Sequence, residues 1–197
     1  MQHRFFALIS RMRYIGRWGL MRNTDPENVQ EHSHMVAVLA HALAVIRRDK
    51  FGGTIDPGHV AAAALYHDAP EILTGDMPTP VKYKNEALRS AYKAVEQESA
   101  RLMASLQPEA LRSETEEFLT GRVLNDAERK ILKAADRLSA LIKCLEECQS
   151  GNREFEAARE QQLAALHGMD CPEAEYFITH MLPCYTQNLD ELTRGRF

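Results

Sequence analysis

Apolar residues recur along this chain at spacings of three and four, and no segment alternates as a half-buried strand would. The first helix predicted by this spacing spans about residues 4–14, with Phe5, Leu8, Ile9 and Met12 on one face. A loop follows Gly16. The second helix has two candidate starts: Thr24 with Glu27 as a capping box, or Asp25-Pro26 with proline in the first turn. Its inward stripe is Val29, Val36, Leu39, Leu43 and Ile46, and Phe51-Gly52-Gly53 ends it. Asp56-Pro57 opens a third helix, expected to run to Thr74-Gly75, and the proline-stiffened loop 76–80 follows. A long polar helix is predicted over about 83–105 and a shorter one after Pro108. Asn125 with Glu128 caps the next, which carries Ile131, Ala135, Leu138, Ile142 and Leu145 inward to about Cys148. Two more are expected at about 153–167 and 172–193, the last broken at Pro183. The pattern therefore predicts an all-α chain of about seven or eight helices. It reads as one domain over 1–197, with a core of about 26–150 and C-terminal helices 152–193 packed on it.

Composition narrows the class. The chain of 197 residues is 45% apolar and 26% charged, which is ordinary for a globular protein. No run of apolar residues is long enough to span a membrane. No apolar signal stretch follows the basic start, so a cytoplasmic protein is expected. The net charge of −4 argues against a general nucleic-acid binder. Residues 1–22 nevertheless carry Arg4, Arg11, Arg13, Arg17 and Arg22 and no acid. A basic patch on an acidic protein suits a small anion, although a solvated helix face explains it equally well. Cys144, Cys148, Cys171 and Cys184 form no CxxC pair and are expected to be reduced thiols.

The chemistry gathers around His67-Asp68. Glu71 follows His67 by four residues, so both are expected on one helix face. His32 lies on the apolar stripe of the second helix, and Asp136 lies beside the inward Leu132 and Ala135. Singly, each has an ordinary explanation: a satisfied core histidine, a capped pair, a surface ion pair. Together, two imidazoles and two carboxylates on three helices make a mixed nitrogen and oxygen site for one divalent transition metal, such as manganese or cobalt, rather than calcium. Burial of Asp68 and Asp136 without a cation would be costly.

This ordered set, His32, His67-Asp68 and Asp136, resembles the signature of the HD phosphohydrolases, and the likeness extends to the bacterial 5′-deoxynucleotidases. It covers Arg17-Trp18, Met21-Arg22-Asn23, Glu27-Asn28-Val29, Glu31-His32-Ser33, Tyr66 to Ala69 with Glu71, 74–76, 78–83 and 143–147. It is weakest after about residue 150. Met77 departs from the expected leucine, a change that conserves volume.

The resemblance implies an HD-domain helical bundle that hydrolyses deoxyribonucleoside 5′-monophosphates, with little selection of the base. Under it, His32, His67, Asp68 and Asp136 hold the metal and border the substrate. Glu71 orients or deprotonates the attacking water, and Asp76 relieves charge on the leaving oxygen. Arg17 holds the phosphate and Trp18 lies against the sugar. Met77, Pro78 and Thr79 contact substrate with Asp76. A homodimer acting on free nucleotides rather than a polymer is also implied. Two other readings stand beside it: an HD phosphohydrolase for a triphosphate or alarmone, and a non-catalytic helical regulator that binds metal or nucleotide.

Overall fold

The computed structural model describes residues 2–82 and 84–194. Helix α1 (Phe5–Ile9) runs into a 3-10 turn (Ser10–Tyr14), and a loop leads to α2 (Val29–Phe51). Then come α3 (Pro57–Tyr66), α4 (Glu71–Thr74), α5 (Thr79–Lys82), α6 (Glu86–Ser105), α7 (Glu109–Thr120) and α8 (Asp126–Gln149). A 3-10 turn (Arg153–Phe155) precedes α9 (Glu156–His167) and α10 (Pro172–His180). A further 3-10 turn (Leu182–Thr186) leads to α11 (Leu189–Thr193). Seven of these helices have nine or more residues. The others have four or five, too short for periodicity to reveal.

Helix α2 starts later than either candidate. Asn28 is its cap, accepting from the N–H groups of Gln30 and Glu31, while the Glu31 carboxylate accepts from the Asn28 N–H. The reason is tertiary. Gly16 and Asn28 form an antiparallel bridge. Arg17 N–H donates to the Glu27 carbonyl at 2.9 Å and Val29 N–H to the Ile15 carbonyl at 2.9 Å. This pairing holds residues 27–28 extended, and the N–H groups of Thr24 and Asp25 go to the Glu147 carboxylate instead of starting a helix.

The third helix is shorter than expected. Pro70 has no N–H for the Tyr66 carbonyl and disfavours helical backbone at Ala69, so α3 stops at Tyr66. His67 to Pro70 form a turn, and Glu71 opens α4. Two further boundaries differ. A turn of helix, α5, forms where only a stiff loop was expected, with Pro80 in its first turn where no N–H is needed. The expected start of the long polar helix at Tyr83 lies outside the described residues, and α6 is capped by Asn85. The Asn125–Glu128 capping box of α8 forms as predicted.

The main core lies between α2, α3 and α8. Val36, Leu39, Leu43 and Ile46 meet Val60, Ile131, Leu138, Leu141 and Ile142, with Leu166 and Phe177 from α9 and α10. A second cluster joins Phe5, Met12 and Val29 to Met103 and Leu119. Each fully buried aliphatic side chain stabilises by about 1.5–3 kcal/mol. These two clusters fix the residues between them: His32 on α2, the 67–70 turn and Asp136 on α8.

Candidate active site

His32 is fully buried where α2 faces α8. Its Nδ1 lies 3.1 Å from Ser139 Oγ, one turn beyond Asp136 on α8. The Ser139 hydroxyl can give or accept a proton and so serves either tautomer of the ring, while Nε2 faces Asp136 Oδ1 at 3.0 Å and Asp68 Oδ2 at 3.5 Å. His67 is fixed more firmly. Its Nδ1 donates to the Ala64 carbonyl at 2.7 Å, which leaves Nε2 as the acceptor. That Nε2 is buried without a hydrogen-bond partner, 3.2 Å from Asp68 Oδ2. Two acceptors this close repel unless a proton or a cation lies between them. Among the described residues, His32, His67 and Asp68 each bring one ligand atom within 4.8 Å of the others. Asp136 stands outside that trio and joins it through its contact with His32.

The charges follow this geometry. Burial opposes a charge on His67, but Asp68 outweighs it and pushes the imidazole up to about 9. Burial opposes the Asp68 charge as well, yet His67, His32 and Arg17 hold that carboxylate far below its usual range. The donor set fits a divalent ion: two imidazole lone pairs, a strongly ionised carboxylate between them, and an orphaned nitrogen. A metal must displace the His67 proton, so its apparent affinity is expected to rise with pH up to about 9, by as much as tenfold per unit. Calorimetric titration with Co2+ between pH 6 and 8 measures this, and a flat profile would exclude His67 as a ligand.

Glu71 lies on the floor of the same site, buried, with Oε2 lacking any hydrogen-bond partner. Burial, then the Asp68 and Asp76 carboxylates, push its carboxyl up to about 10. Burial also raises Asp76, though less. A cavity of about 310 Å³ opens from His67, Asp68, Glu71 and Asp136 toward Lys82, Gln97, Thr120 and Lys133. Lys82 bonds Glu96 at 2.9 Å, and Tyr92 donates to the Gly75 carbonyl at 2.9 Å, so the 75–82 segment is tied to α6.

Arg17 approaches from the opposite strand of the bridge. Its Nη1 lies 3.7 Å from Asp68 Oδ2. Burial works against its charge, but Glu27, Asp68, Asp136 and Asp76 together raise it above the usual arginine value. Trp18 has φ of 59°, the left-handed region, which costs a non-glycine residue about 1–3 kcal/mol. The strain is held by surrounding contacts. Met21 N–H donates to the Trp18 carbonyl at 2.8 Å, and the indole packs on Phe155 at 5.3 Å between centroids. Met77 and Pro78 are half-buried and Thr79 is exposed, and Thr79 makes no side-chain hydrogen bond to the trio.

Some contributors were missed from sequence. Ser139 sits three residues after Asp136, the same-face spacing that could have flagged it. The buried Lys143–Glu147 pair, joined by Asn152, pins the 24–25 backbone next to Glu27, and Lys143 donates to the Asp25 carbonyl. Nothing in the spacing marks Phe155.

A family model described as 5′-deoxynucleotidase YfbR-like matches residues 4–185. The 5′-deoxynucleotidase of Vibrio atlanticus is 43% identical over 192 residues, covering 98% of this chain and 99% of its own. The 5′-deoxynucleotidase YfbR of Escherichia coli is 43% identical over 193 residues, covering 98% and 97%. Among solved structures, an HD-domain phosphohydrolase from Listeria innocua superposes with a TM-score of 0.81 at 26% identity, covering 93% of this chain and 88% of that one. An HD phosphohydrolase of cyanophage S-2L, solved with dA and one catalytic Zn2+ ion, has a TM-score of 0.70 at 20% identity over 93% and 99%, and shares the fold. With the HD trio in place and relatives this similar over nearly its whole length, the chain belongs to the YfbR-like 5′-deoxynucleotidase family.

Proposed function

We propose that the chain hydrolyses deoxyribonucleoside 5′-monophosphates to deoxynucleoside and phosphate, with one divalent transition metal held by His32, His67, Asp68 and Asp136. The observation that carries this reading is the arginine beside the trio. Arg17 places a guanidinium 3.7 Å from Asp68, with the strained Trp18 next to it in sequence. A planar fork suits a phosphate, and a rigid ring beside it suits discrimination at the neighbouring sugar.

The metal supplies Lewis acidity, which lowers the pKa of water and offsets phosphate charge. The chain's own groups do the rest. Arg17 holds the phosphate in line for attack. Glu71, one oxygen free and buried, orients the attacking water and accepts its proton. Asp76, raised by burial, gives a proton to the leaving 5′ oxygen. Trp18 lies against C2′ of the sugar, and residues Met77 to Thr79 border the substrate. The sequence carries no base-reading motif, and broad base tolerance is part of the proposal. The same reading takes the enzyme as a cytoplasmic homodimer acting on free nucleotides. No described helix is long and apolar enough to cross a membrane.

The test is phosphate release from dAMP and AMP, on protein stripped by chelator and resupplied with Mn, Co, Mg or Zn. Turnover of dAMP, with AMP slower by about 100-fold or more, is expected only with metal restored. Turnover of neither would end the deoxynucleotidase assignment.

A further inference from the structure

We infer that Glu27 is a positioning residue that locks the phosphate-binding arginine and the sugar-facing tryptophan into one unit. The inference rests on the roles proposed above for Arg17 and Trp18. Oε2 of Glu27 accepts the indole Nε1–H of Trp18 at 2.8 Å. The same oxygen lies 3.1 Å from Arg17 Nε, as an ion pair, with both side chains nearly buried at 12% and 14% exposure. The guanidinium carbon sits 5.9 Å from the indole centroid. One carboxylate oxygen therefore holds the indole by a hydrogen bond and the adjacent guanidinium by charge, with no aligned hydrogen bond at Arg17 Nε.

The geometry gives this contact a purpose beyond neutralising a buried charge. Arg17 has a second carboxylate within reach, Asp68, at 3.7 Å from Nη1. Without Glu27 the nearest remaining carboxylate is Asp68, with Asp136 and Asp76 also acting on the charge, and the guanidinium would close on Asp68 instead of presenting its fork to a phosphate. Trp18 is similarly placed. Its backbone is left-handed, and the Phe155 ring meets the indole tilted by 59° rather than stacked flat. The bond at Nε1 is the polar constraint on how the indole turns, and hence on which edge meets the sugar. The Glu27 backbone is held separately, by its carbonyl accepting from Arg17 N–H and by the Asn28 cap beyond it. Truncating the side chain therefore leaves the chain path intact.

Trp18 is the sole tryptophan, so its emission reports the contact directly. The metal-loaded protein is compared as wild type, Glu27→Ala and Glu27→Gln, for kcat and KM on dAMP and AMP and for tryptophan emission and acrylamide quenching. Loss of a charge-assisted hydrogen bond predicts that Glu27→Ala lowers the dAMP/AMP ratio of kcat/KM by about tenfold or more, red-shifts the emission and raises quenching. Glu27→Gln keeps an oxygen for the indole but loses the charge. It is expected to restore the emission and the ratio while raising KM for both nucleotides by about fivefold. Both variants keeping wild-type emission, ratio and KM would overturn the inference. So would glutamine failing to restore what alanine loses while both variants keep the wild-type far-ultraviolet spectrum. An emission shift in Glu27→Ala with an unchanged ratio would support the anchoring and refute the sugar-reading role of Trp18 instead.

Discussion

Glu71→Gln is expected to lower kcat for dAMP by about 10²- to 10⁴-fold while leaving metal uptake unchanged. Glutamine fills the same buried space and cannot accept a proton, so the substitution removes the proposed base without opening a cavity. The placement of Glu71 motivates the size of the effect. It is 5% exposed, and its Oε2 is buried without a hydrogen-bond partner, which leaves a free acceptor for a water in the site. Burial and the neighbouring Asp68 push it up to about 10 in the metal-free protein. A base works only when ionised, and a cation beside Asp68 favours that form. Activity should therefore rise with pH along an acidic limb as Glu71 loses its proton, and the glutamine variant should lack that limb. A variant within tenfold of wild type, with the limb retained, would mean that Glu71 moves no proton.

Trp18→Ala is expected to admit ribonucleotides. The dAMP/AMP ratio of kcat/KM should fall by about 100-fold, chiefly because AMP improves. In the proposed pose, a ring held in a strained backbone conformation, bonded at Nε1 and packed on Phe155, has no room to retreat from a 2′-hydroxyl. Alanine leaves room for that hydroxyl and for water to solvate it. Steady-state kinetics on the two nucleotides decide the matter, and a variant that rejects AMP as strongly as wild type would end the steric account.

How much of this could be read along the chain depended on whether the signal was local. The α8 capping box was legible because Asn125 and Glu128 satisfy each other within one turn. The α2 cap was misplaced because Thr24 and Asp25 give their N–H groups to Glu147, more than a hundred residues away. Glu27, read from sequence as half of a capping box, spends its carboxylate on Trp18 and Arg17. Pro70 is a local signal, and with the tightened bonds from His67 N–H to Ala64 and from Ala69 N–H to Tyr66 it marks the turn that carries His67 and Asp68 in place of the expected continuous helix.

The sequence by itself determined the helical class, the inward stripes of α2 and α8, and the residue types of the site, because periodicity, caps and donor chemistry are properties of neighbours along the chain. Tertiary structure alone decided the rest. It turned Nδ1 of His67 to the Ala64 carbonyl and seated His32 against Ser139, left Asp136 one step outside the His32, His67 and Asp68 trio, and set Arg17 against Asp68. Those outcomes turn on distances between groups remote in sequence, and such distances exist only once the two cores have closed around them.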